Sequence, residues 1–153
     1  MLKRGLLLLA LVLVLALCGA PLQGAGTVVL TKDIVSGAAG PVTRYSVAWT
    51  STAGGAVSGN GFAIIPGRLI SVFFIPGATT PSNNYDVTLT LSDGTFTTGD
   101  LLSNGGNNRS ATVPSVSTFD PPMYQDGSRT LDVVVANAGA SKTGTVVIYV
   151  QSF

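Results

Sequence analysis

From residue 27 onward apolar and polar positions exchange every one or two residues, and Gly, Pro, Asn and Asp punctuate the runs. Side chains alternate across a strand, so this period predicts β-structure and no capped helix. Residues 27–31 read as a short first strand. Residues 42–51 alternate, with Val42, Tyr45, Val47 and Trp49 against Thr43, Ser46 and Thr50 and a slip at Arg44-Tyr45. A weak strand lies between Gly54-Gly55 and Ser58-Gly59-Asn60-Gly61, and Phe62-Ala63-Ile64-Ile65 follows. Residues 68–75 form the most apolar run, bounded by Pro66-Gly67 and Pro76-Gly77, which predicts a strand covered on both faces. Residues 85–91 alternate, Ser92-Asp93-Gly94-Thr95 is a tight turn, and Phe96 starts a return strand. A loop rich in Asn and Gly occupies residues 100–110. A strand near 115–119 then leads into a rigid turn at Asp120-Pro121-Pro122. The last two strands, 130–137 and 143–151, flank a five-residue connector suited to a hairpin.

Seven to nine short strands with turns between them predict an all-β fold, a single antiparallel β-sandwich of jelly-roll or Ig-like type. Its core is expected to bury Trp49, Leu69, Val72, Phe74, Val87, Leu89, Val133, Val135, Val147 and Tyr149 between two sheets.

Residues 1–25 follow a different pattern. Lys3 and Arg4 precede an unbroken apolar run from Leu6 to Leu17, and small residues follow. That layout predicts a secretory signal peptide, leaving residues 26–153 as one domain. The apolar run is shorter than the roughly 18–20 residues that span a bilayer. Leu15-Ala16-Leu17-Cys18 resembles a bacterial lipoprotein box, with Leu17 where the box has a small residue. Cys18 is therefore a candidate lipidation site, and cleavage near Gly24 or Ala25 is the alternative. The expected location is periplasmic, cell-surface or secreted. Membrane contact is expected only through the leader or a lipid at Cys18.

The chain is 153 residues long, and charged residues are 10% of it, against an average of about 25%. Histidine and glutamate are absent, and Cys18 is the sole cysteine. A His-based triad, a His or Cys zinc site and an intrachain disulfide are thereby excluded. A net charge of +1 gives no footprint for nucleic acid. The residue types that hold a proton near neutral pH are missing from the body, so no catalytic residue, metal or cofactor is expected. Asp93 and Asp100 lack the spacing of a calcium loop, and the aspartates read as turn residues. Asn108-Arg109-Ser110 fits a glycosylation pattern but reads as loop sequence. Candidate contact residues are Tyr124, placed in the loop after Pro121-Pro122, and Asn104, Asn107, Asn108 and Arg109.

Several segments share an order with a known group: Val47-Ala48-Trp49-Thr50-Ser51, Pro66-Gly67-Arg68, Ile75-Pro76-Gly77, Pro81 to Leu89 with its Tyr85-Asp86-Val87, Ser92-Asp93-Gly94, Asn107-Asn108-Arg109-Ser110, Leu131 to Gly139, and Thr143 to Tyr149. Together they resemble small phage and prophage structural proteins over roughly residues 40–150. That resemblance implies a virion-associated or decoration-like role without catalysis. The expected function is a non-enzymatic structural β-sandwich that self-associates or docks on a larger assembly. The alternative is an exported cell-envelope or glycan-binding module.

Overall fold

The computed structural model describes residues 26–37, 40–58 and 61–153. The leader and Cys18 lie outside the described residues. Among the described residues there are eight strands: β1 (Thr27–Gly37), β2 (Gly40–Thr50), β3 (Phe62–Ala63), β4 (Gly67–Pro76), β5 (Asp86–Ser92), β6 (Ser115–Gln125), β7 (Thr130–Ala136) and β8 (Thr143–Gln151). They form a five-stranded sheet in the order β1-β2-β8-β4-β6 and a three-stranded sheet in the order β3-β7-β5, with every pair antiparallel. The all-β sandwich expected from the sequence is the fold observed.

Alternation places Tyr45, Val47 and Trp49 of β2, Val87, Leu89 and Leu91 of β5, and Leu131, Val133 and Val135 of β7 inward. Leu69, Val72 and Phe74 join them from β4. At Arg44-Tyr45 the alternation of β2 is unbroken, because Thr43 points inward and Val42 outward. The Tyr45 hydroxyl accepts a hydrogen bond from the Ile65 amide at 2.8 Å, so that buried phenol is satisfied.

Strand β8 corrects the expected core. Val146-Val147-Ile148-Tyr149-Val150 is apolar without a period, so the sequence alone does not choose a face. The register chooses it. Val146 lies opposite Val47 and Phe74, and Ile148 opposite Tyr45 and Val72, all buried. Val147 lies opposite Ser46 and Phe73 on the outer side of the sheet, where it is buried as expected but not between the sheets, and Tyr149 shares that side, its ring meeting Phe73 edge-on at 5.6 Å. A one-residue slip flips every side chain, and the inward set is Val146, Ile148 and Val150. For the same reason β4 is not covered on both faces: Phe73 and Ile75 are exposed on the outer side.

Other elements differ in extent. Strand β1 runs six residues past the expected end because Asp33 pairs with Arg44 and the ladder continues to Gly37. The weak strand before residue 61 reduces to one bridge, Val57 to Val135, and the Phe96 return strand to one bridge, Ser92 to Thr97. Strand β3 keeps two residues. The turn at Asp120-Pro121-Pro122 is a wide bulge within β6. Pairing passes from Ser71–Thr118 to Leu69–Met123, so four residues oppose Ile70 before the strand resumes. Proline has no N–H to give a ladder, and β6 is an edge strand, where that loss is tolerated. The connector at residues 138–142 is not a hairpin, because β7 and β8 belong to different sheets.

Gly144 of β8 lies opposite Trp49 of β2, and the indole lies where a Cβ on residue 144 would be. The ring also meets that of Tyr85, just before β5, with centroids 5.9 Å apart. Gly144→Ala is expected to cost roughly 1–3 kcal/mol by overpacking. It should cost much less in a Trp49→Leu background, as a double-mutant cycle by urea unfolding would read. Leu89→Ala and Ile148→Ala should each cost about 2–5 kcal/mol. A small effect at Ile148 with a large one at Tyr149→Ala would reverse the assigned face of β8.

Candidate interaction surface

The surface is defined by how each sheet edge ends. Unpaired strand N–H and C=O groups invite another chain, so folds cover or interrupt them. Residues 97–110 do this for β5. The amides of Thr98 and Leu101 donate to the carbonyls of Leu91 and Leu89 at 2.9 and 2.8 Å. The Val87 amide donates to Gly106 at 2.9 Å, and the Arg109 amide to Tyr85 at 2.7 Å. Asp100 fastens this segment by accepting from the amides of Leu89, Leu102 and Asn104 at 3.2, 3.1 and 2.9 Å. Gly106 is required here, since a Cβ would run into the Val87 carbonyl.

All four candidate contact residues in this loop have visible structural duties. Asn104 and Asn108 adopt positive φ of 68° and 54°, which asparagine tolerates better than most residues. The Asn108 amide donates to Asp86 at 3.0 Å. Arg109 donates to the Asn107 carbonyl through Nε and Nη2 at 2.9 and 2.7 Å, and its guanidinium lies 5.3 Å over the Phe74 ring. The side chain of Asn107 meets Asn104 at 3.3 Å.

The edge of β7 opposite β5 is met by β3 and by Val57, which exchanges two 2.9 Å bonds with Val135. The free edge of β6 is broken by its bulge, and Ser117 bonds the Gly105 carbonyl at 2.9 Å. Strand β1 remains. It pairs only with β2 among the described residues, is eleven residues long, and has no proline and no bulge.

Apolar groups are exposed on both faces of β1. Residues opposite each other in a ladder share a face, so Leu30 and Ile34, opposite Val47 and Thr43, point inward. They are nevertheless 40% and 75% exposed. The three-stranded sheet reaches as far as β2, where Phe62 of β3 meets Tyr45 at 5.9 Å, and leaves most of β1 uncovered. On the outer face Val29 and Val35 are 64% and 40% exposed. The sequence signal was present in the doublets Val28-Val29 and Ile34-Val35, which break the two-residue period.

Tyr124 is exposed, on strand β6 and not in a loop, opposite Arg68. Its ring stacks on Phe153 with centroids 5.8 Å apart and planes 10° from parallel. Shallow grooves of about 300 and 250 Å³ flank this pair, one beside Asp126 and Arg129 and one beside Arg68 and Gln151. Phe153 had no place in the sequence expectation, since it stands outside any periodic run.

Asp93, Asp100 and Asp126 act in turns, while Asp33 pairs with Arg44 between strands. No group of three His, Cys, Asp or Glu suited to a metal occurs among the described residues. The amides of Phe96 and Thr95 hold the Asp93 carboxyl below its ordinary value, and the hydroxyl and amide of Ser128 do the same for Asp126. No helix of the described residues is long and apolar enough to cross a membrane.

No family model matches the chain, and no curated protein matches it. Among solved structures, an exo-β-1,3-galactanase from Phanerochaete chrysosporium, determined with galactose, is similar at 14% identity and a TM-score of 0.22. The match covers 83% of this chain and 28% of the galactanase, and a likeness that slight carries no inference about fold or chemistry.

The lowered carboxyls set the acid response. A depressed folded value stabilises fully above the unfolded carboxylate pKa of about 3.9 and is lost as pH falls through the folded value. The thermal midpoint should therefore drop as pH falls below about 4. Asp93→Asn and Asp126→Asn should each flatten that drop in scanning calorimetry, by a small amount because both carboxylates are exposed. An unchanged acid slope in the double variant would remove the assignment.

Proposed function

We propose that this chain is a non-enzymatic β-sandwich building block, exported or virion-associated, that self-associates or docks on a larger assembly. One observation carries the reading: among the described residues β1 is a long edge without proline or bulge whose apolar side chains are exposed on both faces, while β3 is only two residues long and the edges of β5 and β6 are covered or interrupted. Strand addition to such an edge supplies main-chain hydrogen bonds, while side chains on the two faces supply selectivity. The scarcity of charge leaves little repulsion to oppose it. The leader read from residues 1–25 supports export, and the segment order shared with phage structural proteins supports a place in an assembly. The absence of histidine and glutamate supports a role without catalysis.

A second reading, a glycan-binding or envelope-binding module, is favoured by the Tyr124–Phe153 pair. Exposed aromatic faces stack on sugar rings, and Arg68, Gln151, Asp126 and Arg129 offer hydrogen-bonding groups beside them.

Sedimentation velocity over a wide concentration range separates the two. The expected result is reversible self-association that depends only weakly on salt. It should be lost in the Val29→Lys/Ile34→Lys variant and kept in Tyr124→Ala. A protein that stays monomeric at all concentrations, with Tyr124→Ala abolishing retention on a glycan array, would favour the second reading instead.

A further inference from the structure

The partner of β1 is identified by the pattern of β1 itself. Resting on the self-association reading, we infer that two copies of this chain pair β1 to β1, antiparallel, about a two-fold axis at Lys32. A two-fold normal to the sheet continues the five-stranded sheet into its copy and keeps inner faces on one side. Opposite residues then share a face, so inner positions meet inner positions and outer meet outer.

The four exposed large apolar residues of β1 are symmetric about Lys32. Leu30 and Ile34 lie two positions to either side on the inner face, and Val29 and Val35 three positions to either side on the outer face. Centring the axis on Lys32 sets Leu30 opposite Ile34 of the second copy and Val29 opposite its Val35. Thr31 then meets Asp33, a hydroxyl against a carboxylate. Each exposed apolar side chain of the strand gains an apolar neighbour, and the whole strand from Thr27 to Gly37 is paired. Moving the axis by one residue keeps the faces matched but sets Leu30 opposite Lys32, or Asp33 opposite its own copy. A strand added by an unrelated partner would need exposed apolar groups on both of its faces, and β1 is itself such a strand.

The unfavourable element is Lys32, which meets Lys32 of the second copy at the axis. Charges of this kind guard edges against uncontrolled pairing. Here the ammonium lies 5.8 Å over the ring of Tyr45 in its own chain, and so has a partner away from the axis. Like charges directly opposite weaken a pair without forbidding it. The ladder is about 36 Å long and one strand thick, smaller than a standard interface, so the dimer is a reversible one. A two-fold contact closes on itself, which limits the product to two copies.

Cysteine cross-linking tests the register in the chain carrying Cys18→Ser, with circular dichroism confirming that each variant folds. Directly opposite Cα atoms lie about 4.5–5.5 Å apart, within disulfide reach. An equal mixture of Leu30→Cys and Ile34→Cys proteins should give the disulfide-linked mixed dimer under mild oxidation. Either protein alone should give at least tenfold less, because its thiols lie about 13 Å apart along the strand. Lys32→Gln should strengthen association by about two- to fivefold in sedimentation, as expected for removal of a like-charge pair. Efficient cross-linking of Thr31→Cys or Asp33→Cys alone would overturn the register while leaving self-association in place. Open-ended oligomers in Lys32→Gln would overturn the closed two-fold pairing. Monomers throughout, with and without Lys32, would overturn both this inference and the reading on which it rests.

Discussion

After the β1–β2 hairpin, no two strands consecutive in the chain are neighbours in a sheet. The polypeptide changes sheet at every connection from β2 to β8, and each ladder beyond the hairpin joins segments distant in sequence. This single constraint governs the rest of the structure. Strand β8 must lie between β2 and β4, and β7 between β3 and β5, before either sheet exists. Local turn geometry therefore cannot fix the registers of the central strands. They are fixed by which faces can be buried together, and the Trp49 indole against Gly144 is one place where that fit leaves no room for a Cβ.

The same constraint explains why loops carry so much structural responsibility. Two of the connections that cross between sheets, residues 51–61 and 93–114, are long, and their backbone groups must be satisfied. Residues 97–110 satisfy theirs by lying along β5, as Val57 does along β7. The connections thus become edge covers, and asparagine and glycine suit that role through the left-handed conformations it needs. Among the described residues, the hairpin has no crossing connection along its outer side. The openness of β1 is a product of topology as much as of composition.

Much of the fold was readable from the chain, and the limits of that reading have physical causes. Strands β2, β5 and β7 alternate cleanly because one face of each is wet, so their inward residues stood out. Strand β8 is central and apolar on successive positions, and its parity was settled only by Val47, Phe74, Tyr45 and Val72 on its neighbours. Asp120-Pro121-Pro122 looked like a chain reversal because proline breaks a ladder, and only the partner strand shows that pairing resumes at Met123. Asn104, Asn108 and Arg109 were visible as loop residues, but whether a loop faces a ligand or lies along a strand depends on contacts with Tyr85, Val87 and Leu89. Tyr124 is exposed, but on β6 and not in the loop where its neighbouring prolines placed it. Its stacking partner Phe153 lies 29 positions on in the sequence, outside the reach of any local pattern.

The position of β8 has a consequence for how the molecule is made. The strand that joins β2 to β4 follows all the others in sequence, so a nascent chain that has not reached Val150 holds two separated parts of a sheet with no bridge between them. The β1–β2 hairpin, the β4–β6 ladder and the three-stranded sheet all come from segments made before β8. Cooperative folding must wait for synthesis of the segment around residue 150, and rates in such nonlocal β-topologies are slow in any case. A polypeptide built this way closes its larger sheet only with the last strand it makes.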